Sequence, residues 1–297
     1  MKSRYTAGVP ATSQFVLFGF FLGLLFGSFL NVCISRLPAH RSVITPRSHC
    51  NSCGNLIYWY DNIPIFSWIA LQARCRHCDA AIPWRYPAVE LTVGLWFAKA
   101  GAQMWTSWNL DTISQGDIIY SFKMSLFYSV DVIGFAILGF LLIGLMVMDW
   151  QTQRLPDAFT VTGIVVGFVL ACVQAVFHEP DQNPWRIILR RIASIVAAAL
   201  ILLVIRWSYR ALRKRDGMGL GDVKMLAMIA AFLGFLPTLV ALFAAVVAAS
   251  LYGLVQMARR KAHALSKLPL GSFLAAGGLF SALFGRSIVD WYAALLR

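Results

Sequence analysis

The feature that most constrains this chain is a series of apolar runs, each close to 20 residues long. A helix of about that length crosses a ~30 Å hydrocarbon core. Backbone inside lipid must satisfy its own hydrogen bonds, which favours helices there. The runs fall at about 15–34, 86–105, 121–148, 157–177, 186–207, 222–235, 237–257 and 269–295. Composition agrees, with 59% of the 297 residues hydrophobic and 13% charged. Soluble chains average about 45–50% apolar and about 25% charged. The expected fold class is an all-α polytopic membrane protein of about eight transmembrane helices, both ends on one side. A small insertion lies between helices 1 and 2. Lys2 and Arg4 precede the first run but no small-residue cleavage site follows it, so the run reads as a retained helix rather than a signal peptide. Short polar loops are expected around 106–116 and 178–183, and no internal repeat or low-complexity segment is visible.

The net charge of +13 would suit a nucleic-acid binder, but in a membrane protein excess Lys and Arg serve topology and lipid contact. No nucleic-acid partner is expected; membrane lipids are. The segments 35–85, 149–156, 208–221 and 258–268 carry fifteen Lys and Arg, and the opposite face carries nine. This excess places 35–85 in the cytoplasm. Arg190 and Arg191 run against it.

Segment 35–85 holds Cys50-x-x-Cys53 and Cys75-x-x-Cys78. Two such pairs set four thiolates tetrahedrally around one Zn²⁺, at about 2.3 Å, in a zinc-ribbon-like arrangement. Gly54 permits the turn that a knuckle needs. The competing reading is two disulfides, which a cytoplasmic location disfavours. Four sulfurs fill the coordination shell, so the metal reads as structural. A loop with so little core would need it to fold. Cys33 and Cys172 sit in apolar runs and read as packing residues. The expected parts are a first helix at 1–34, a four-cysteine zinc-binding loop at 35–85 and a membrane core at 86–297.

Acids in or beside apolar helices are expensive and so mark function. Asp149 ends the third run, in Val147-Met148-Asp149-Trp150, and Asp222 begins the sixth, in Gly219-Leu220-Gly221-Asp222-Val223-Lys224. The topology sets both at one cytoplasmic depth. Facing carboxylates hold a single proton, so one can activate water while the other polarises a carbonyl, as in aspartic proteases. Gly219 and Gly221 would let a substrate backbone approach, and Lys224 reads as a support near Asp222. The plainer readings stand beside this one. Asp222 is a good N-cap, Asp149 can pair with Arg154, Asp157 reads as a cap, and Glu90 as the buried partner of an Arg or Lys.

These residues resemble the bacterial prepilin peptidases, a family of membrane aspartic proteases, over nearly the whole chain. The likeness runs through Gly27-Ser28-Phe29-Leu30-Asn31-Val32, Arg36-Leu37-Pro38, both cysteine pairs, Asp61-Asn62-Ile63-Pro64 and Arg85-Tyr86-Pro87 with Glu90. It continues through Asp149, Leu155-Pro156-Asp157, the G-x-G-D signature at Gly219–Asp222, and Leu268-Pro269-Leu270-Gly271-Ser272-Phe273-Leu274. The family usually has Pro where Ser272 stands, a departure read as neutral. The resemblance implies that Asp149 and Asp222 form the catalytic pair. It implies cleavage of the basic leader from type IV prepilins or pseudopilins, at the cytoplasmic face of the bacterial inner membrane. Members with the cysteine loop usually also methylate the new N-terminal amine with S-adenosylmethionine, although no Gly-rich strand-turn-helix marks a donor site here. The alternatives are a presenilin-like intramembrane protease, and a transporter or assembly scaffold with a zinc-stabilised loop.

Overall fold

The computed structural model describes residues 11–113, 118–177, 183–214, 218–259 and 269–296; at 11–12, 106–113, 118–124 and 177 it describes backbone alone. The elements are α1 (Ala11–Arg36), α2 (Phe66–Ala70), α3 (Arg85–Ile113), α4 (Ile118–Thr152), α5 (Asp157–Phe177), α6 (Pro184–Arg213), α7 (Leu220–Leu233), α8 (Phe235–Ala258) and α9 (Leu270–Leu295). Among the described residues there is no strand, only two isolated bridges. Every expected apolar run is a helix. Six of them are long and apolar enough to cross a membrane. The other two are α3, which carries Glu90 and Lys99, and α7, whose 14 residues span only about 21 Å.

One boundary differs from expectation. A polar loop was expected from 106, but α3 continues to Ile113. That stretch holds neither Pro nor Gly, so a change to polar composition marks an exit from the apolar layer without ending the helix. Residues 114–116, the loop at 178–182, and Arg215, Arg260, Lys261, Lys267 and Leu268 lie outside the described residues.

The chain forms two compact units, divided between Phe140 and Leu141. In the first, α1 lies along α3. Gly19, Gly23 and Gly27 recur every four residues on one face of α1. A Cβ on Gly23 would sit 2.7 Å from the Val93 carbonyl oxygen, and one on Gly27 2.6 Å from the Glu90 Cα. The two backbones therefore meet directly. Trp96 of α3 donates to the Phe135 carbonyl at 2.9 Å and stacks on the Phe135 ring.

The loop between α1 and α3 holds a small repeat that the sequence did not reveal. The N–H of Cys50 donates to Asn55 O and that of Gly54 to Cys50 O; the N–H of Cys75 donates to Ala80 O and that of Asp79 to Cys75 O. Bridges close both turns at the same offset, His49 with Leu56 and Arg74 with Ala81. The two cysteine pairs are one motif used twice. Its fifth residue is left-handed each time, Gly54 at φ 73° and Asp79 at φ 52°. Gly and Asp both tolerate that conformation, which hides the repeat from residue identity. Arg76 grips Asp61 with two hydrogen bonds, Nε to Oδ2 at 2.9 Å and a terminal nitrogen to Oδ1 at 2.6 Å. This fork ties the second turn to the 3-10 turn at Trp59–Asn62. It also holds the Asp61 carboxyl below its ordinary range through the Arg76 hydrogen bonds.

The second unit is built around α7. Val223, Met225 to Ala231 and Asp222 are all buried, with α5, α6, α8 and α9 packed against the helix. A helix that is apolar all round belongs in an interior. Outward faces of the surrounding helices are apolar as well, with Phe243 and Leu254 exposed. A helix this short ends inside its apolar surroundings and leaves open carbonyls. Arg191 of α6 donates to the Phe232 carbonyl oxygen at 3.2 Å, and Gly234 turns the chain at φ 84°. Arg191 therefore has a structural task that accounts for its position against the charge rule. Replacing it, as in Arg191→Leu, should cost about 1–3 kcal/mol by leaving helix-end carbonyls without a charged donor. Arg191→Lys should retain part of this. Thermal unfolding in detergent checks both.

Candidate active site

Asp149 lies in the last turns of α4, and Asp222 in the first turn of α7. Both belong to the second unit. They are 6% and 8% exposed, and the charge of Asp149 acts on Asp222 through space. The fold thus brings together two acids that stand 73 positions apart in the chain.

Each carboxylate is met by the N-terminus of a helix. Asp222 is the third residue of α7, and its Oδ2 accepts the Gly219 N–H at 3.2 Å. Gly219 is the N-cap, so Asp222 caps its own helix from within and keeps Oδ1 for other work. Asp149 sits at the start of α9. Its Oδ2 accepts the Ser272 N–H at 2.7 Å and contacts the Ser272 hydroxyl at 3.0 Å, an oxygen also 3.0 Å from the Met146 carbonyl. Free N–H groups and the helix dipole favour negative charge at this end. The acids are buried in apolar surroundings, yet each has donors that offset part of the cost.

The glycines have distinct tasks. A Cβ on Gly221 would lie 3.0 Å from Leu155 Cβ, so Gly221 admits the turn between α4 and α5. A Cβ on Gly271 would lie 2.8 Å from Asp149 Cγ. Gly271 therefore makes the room that the carboxylate occupies. Gly219 faces more open space, its nearest such neighbour being Asp222 Oδ2 at 3.6 Å.

Lys224 is not engaged with Asp222. Its Nζ pairs with Asp157 Oδ1 at 2.6 Å, which ties α7 to the start of α5. Glu90 likewise differs from expectation. It takes the Ile65 N–H at 2.7 Å and a hydrogen bond from Ser28, with no basic partner among the described residues. Ser272, whose departure from the family pattern was read as neutral, is the direct partner of Asp149. Its spacing from Asp149 is 123 positions, and no local pattern signals such a pairing. Gly271 and Arg191 were missed for the same reason.

The four loop cysteines converge, all sulfurs lying within 4.8 Å of one another, with Cys50 and Cys78 at 3.8 Å. A tetrahedron with bonds of ~2.3 Å has edges of about 3.8 Å. The donor set and its spacing fit a tetrahedral dication. The Cys50 thiol is drawn down to about 6 by the N–H groups of Cys53 and Ser52. The Cys78 thiol is pushed up to about 12; the Ala80 N–H lowers it, but desolvation and the neighbouring sulfurs outweigh that. The group shares negative charge that a metal would neutralise.

Comparison with known proteins bears on both units. Residues 21–104 match the bacterial peptidase A24 N-terminal domain, and residues 135–254 match the type IV leader peptidase family. A prepilin leader peptidase/N-methyltransferase of Burkholderia pseudomallei (strain 1026b) is 32% identical, over 94% of this chain and 88% of that protein. One from Myxococcus xanthus (strain DK1622) is 35% identical over 74% of this chain and 56% of its own length. One from Aeromonas salmonicida (strain A449) is 27% identical over 93% of each. No solved structure matches the chain. With that extent of likeness, and an all-helical membrane fold carrying a four-cysteine cluster, the chain belongs to the prepilin leader peptidase/N-methyltransferase family.

Proposed function

We propose that this protein cleaves the basic leader from type IV prepilins or pseudopilins with Asp149 and Asp222 as its catalytic pair, and methylates the new N-terminus. The observation that carries the assignment is the pair itself: two buried carboxylates in one another's field, each met by a helix N-terminus. Asp149 accepts two donors from Ser272 and is the better supported anion; Asp222 accepts one and holds the shared proton. Asp149 takes a proton from water as the water oxygen attacks the scissile carbonyl carbon. Asp222 gives its proton to the carbonyl oxygen. The tetrahedral product then collapses: Asp222 takes back a hydroxyl proton as the carbonyl re-forms, the C–N bond breaks, and the amine leaves with the proton from Asp149. Gly219 leaves space beside Asp222 for an extended substrate backbone. Lys224 acts at one remove, through its tie to Asp157.

The protein is read as a multi-pass protein of the bacterial inner membrane, with the cysteine loop and the aspartates on the cytoplasmic side. The basic excess of the loops supports this. So does the task of Arg191 at the α7 carbonyls, which separates that residue from the topology signal. A pilin helix is apolar, so its leader junction reaches a site at the membrane edge. The parts are read as a first helix at 1–34, a zinc loop at 35–85 and a peptidase core at 86–297. Cys50, Cys53, Cys75 and Cys78 would hold one structural Zn²⁺. S-adenosylmethionine, when bound, would supply an electrophilic sulfonium methyl to the new N-terminal amine.

Incubation of the detergent-solubilised protein with a prepilin and S-adenosylmethionine tests the whole reading, by mass analysis of the product N-terminus. Asp149→Asn and Asp222→Asn should each lower cleavage by about 10²–10⁴-fold with expression intact. A scaffold would tolerate both. Loss of the Ser272 hydroxyl in Ser272→Ala should lower cleavage by about tenfold while the Ser272 N–H still holds Asp149. Comparing initial rates with those of Ser272→Thr, which restores the hydroxyl, checks this. Purified protein should carry one zinc per chain. Binding the metal displaces thiol protons, so the metal should stay bound at neutral pH and be released in acid. A zinc-sensitive dye reads the release.

A further inference from the structure

The cysteine loop carries one stretch that metal-binding turns do not explain. From Ile63 to Leu71 every residue except Ser67 is apolar. Crossing a bilayer takes about 20 residues, so a run this short belongs either to a buried core or to the membrane interface. Burial does not account for it. Among the described residues Ile63 is 42% exposed, and Phe66 and Ile69 are each 62% exposed. The three recur at every third position, so α2 and the turn before it show them on one side. Pro64 is buried, and Trp68 is half-buried with its Nε1 donating to the Ile82 carbonyl at 3.1 Å.

Depth decides what covers the exposed side. Glu90 of α3 accepts the Ile65 N–H at 2.7 Å. The Glu90 Cα itself lies against Gly27 of α1, where a Cβ would come within 2.6 Å. A glutamate side chain reaches about one helical turn, ~5 Å, so Ile65 sits within a turn of the Gly27 level. Beyond Gly27, α1 runs on for about 13 Å before it ends at Arg36, and on the way it shows Phe29 outward. The stretch therefore begins where the neighbouring spanning helix still has an apolar outer face. Left-handed backbone marks both its ends, Ile65 at φ 62° and Gln72 and Ala73 at φ 51° and 59°, so the chain turns sharply on entering and on leaving. Polar groups at such a depth need internal partners. The N–H groups of Ser67, Ile69 and Leu71 donate to the carbonyls of Ile63, Ile65 and Ser67, and the Ser67 hydroxyl turns back to the Ile63 carbonyl at 2.7 Å. Exposed Trp59 and Trp84 are residues of the kind that collect at a membrane surface. The loop from 35 to 85 also carries six Lys and Arg against two acids, a balance suited to anionic headgroups. We propose that residues 63–71 are a re-entrant lipid anchor, with Ile63, Phe66 and Ile69 inserted among the phospholipids of the leaflet beneath the cysteine loop. Glu90 is its clamp, a buried acid whose task is to hold the anchor's backbone to α3. The anchor seats the cysteine turns on the membrane, so that lipid covers apolar side chains that the loop itself leaves open.

The test uses the full zinc-loaded chain in vesicles of phosphatidylethanolamine and phosphatidylglycerol. The photoreactive residue p-benzoylphenylalanine replaces Phe66 or Ile69 in turn. Leu25, exposed on α1, is the membrane reference, and Asn51, exposed in the first cysteine turn, is the water reference. After irradiation, mass analysis reads the adducts and a zinc assay confirms that the loop is intact. Positions 66 and 69 should give acyl-chain adducts at a yield close to that of position 25, and position 51 should give none. Adding Glu90→Ala should lower the yield at position 66 by about tenfold, the weight of one charge-assisted hydrogen bond. Acyl adducts at position 25 with none at 66 and 69 would overturn the anchor. Cross-links from 66 and 69 to a second copy of the chain, in place of lipid, would overturn it as well and assign the face to self-association. An unchanged yield in the Glu90→Ala background would overturn the clamp.

Discussion

A helix that ends inside apolar surroundings leaves N–H groups at one end and carbonyls at the other, and something must meet them. The second unit is arranged around that demand. Helix α7 is too short to reach water at both ends of a bilayer. Arg191 meets its carbonyls and Asp222 meets its first N–H. The start of α9 poses the same demand, and Asp149 answers it through Ser272. The two aspartates are thus both the proposed chemistry and the completion of two helix ends. The capping reading of Asp222 and the proposed reactive one are compatible, because one carboxylate oxygen is enough for the cap.

The first unit solves a different difficulty. Its long loop buries little apolar material, and many of its large side chains are exposed, Trp59 and Trp84 among them. Two copies of one turn set four sulfurs at metal-binding distance, and the Asp61–Arg76 fork joins the second copy to the chain between them. A metal at that point would replace the core such a loop cannot build. Beneath it, the glycines of α1 let α3 approach until backbone meets backbone. Close packing of this kind holds helices together where lipid offers no hydrophobic advantage to association.

Much of the fold was legible because it depends on local composition. Apolar length alone located the helices of both units. Only α2 and the two 3-10 turns, short and without a period, went unseen. The cysteine spacing announced its own geometry, since x-x between two thiolates leaves few ways to close a turn. The four-residue stride of Gly19, Gly23 and Gly27 marks a helix interface but was not among the features read from the sequence. The pairing of Lys224 with Asp157 was not legible, because a long flexible base gives no sign of which nearby acid it will choose.

The sequence by itself determined the apolar helices, the paired cysteine turns and which acids stood at helix ends, all of them consequences of neighbours in the chain. Tertiary structure decided what those acids touch. Ser272 reaches Asp149 across 123 positions, Arg191 reaches α7 across 41, and Asn31 reaches the Tyr86 carbonyl across 55. Such contacts are set by how whole helices pack and where their ends fall. No pattern of adjacent residues encodes that, so the partners of each buried polar group emerge only when the fold is complete.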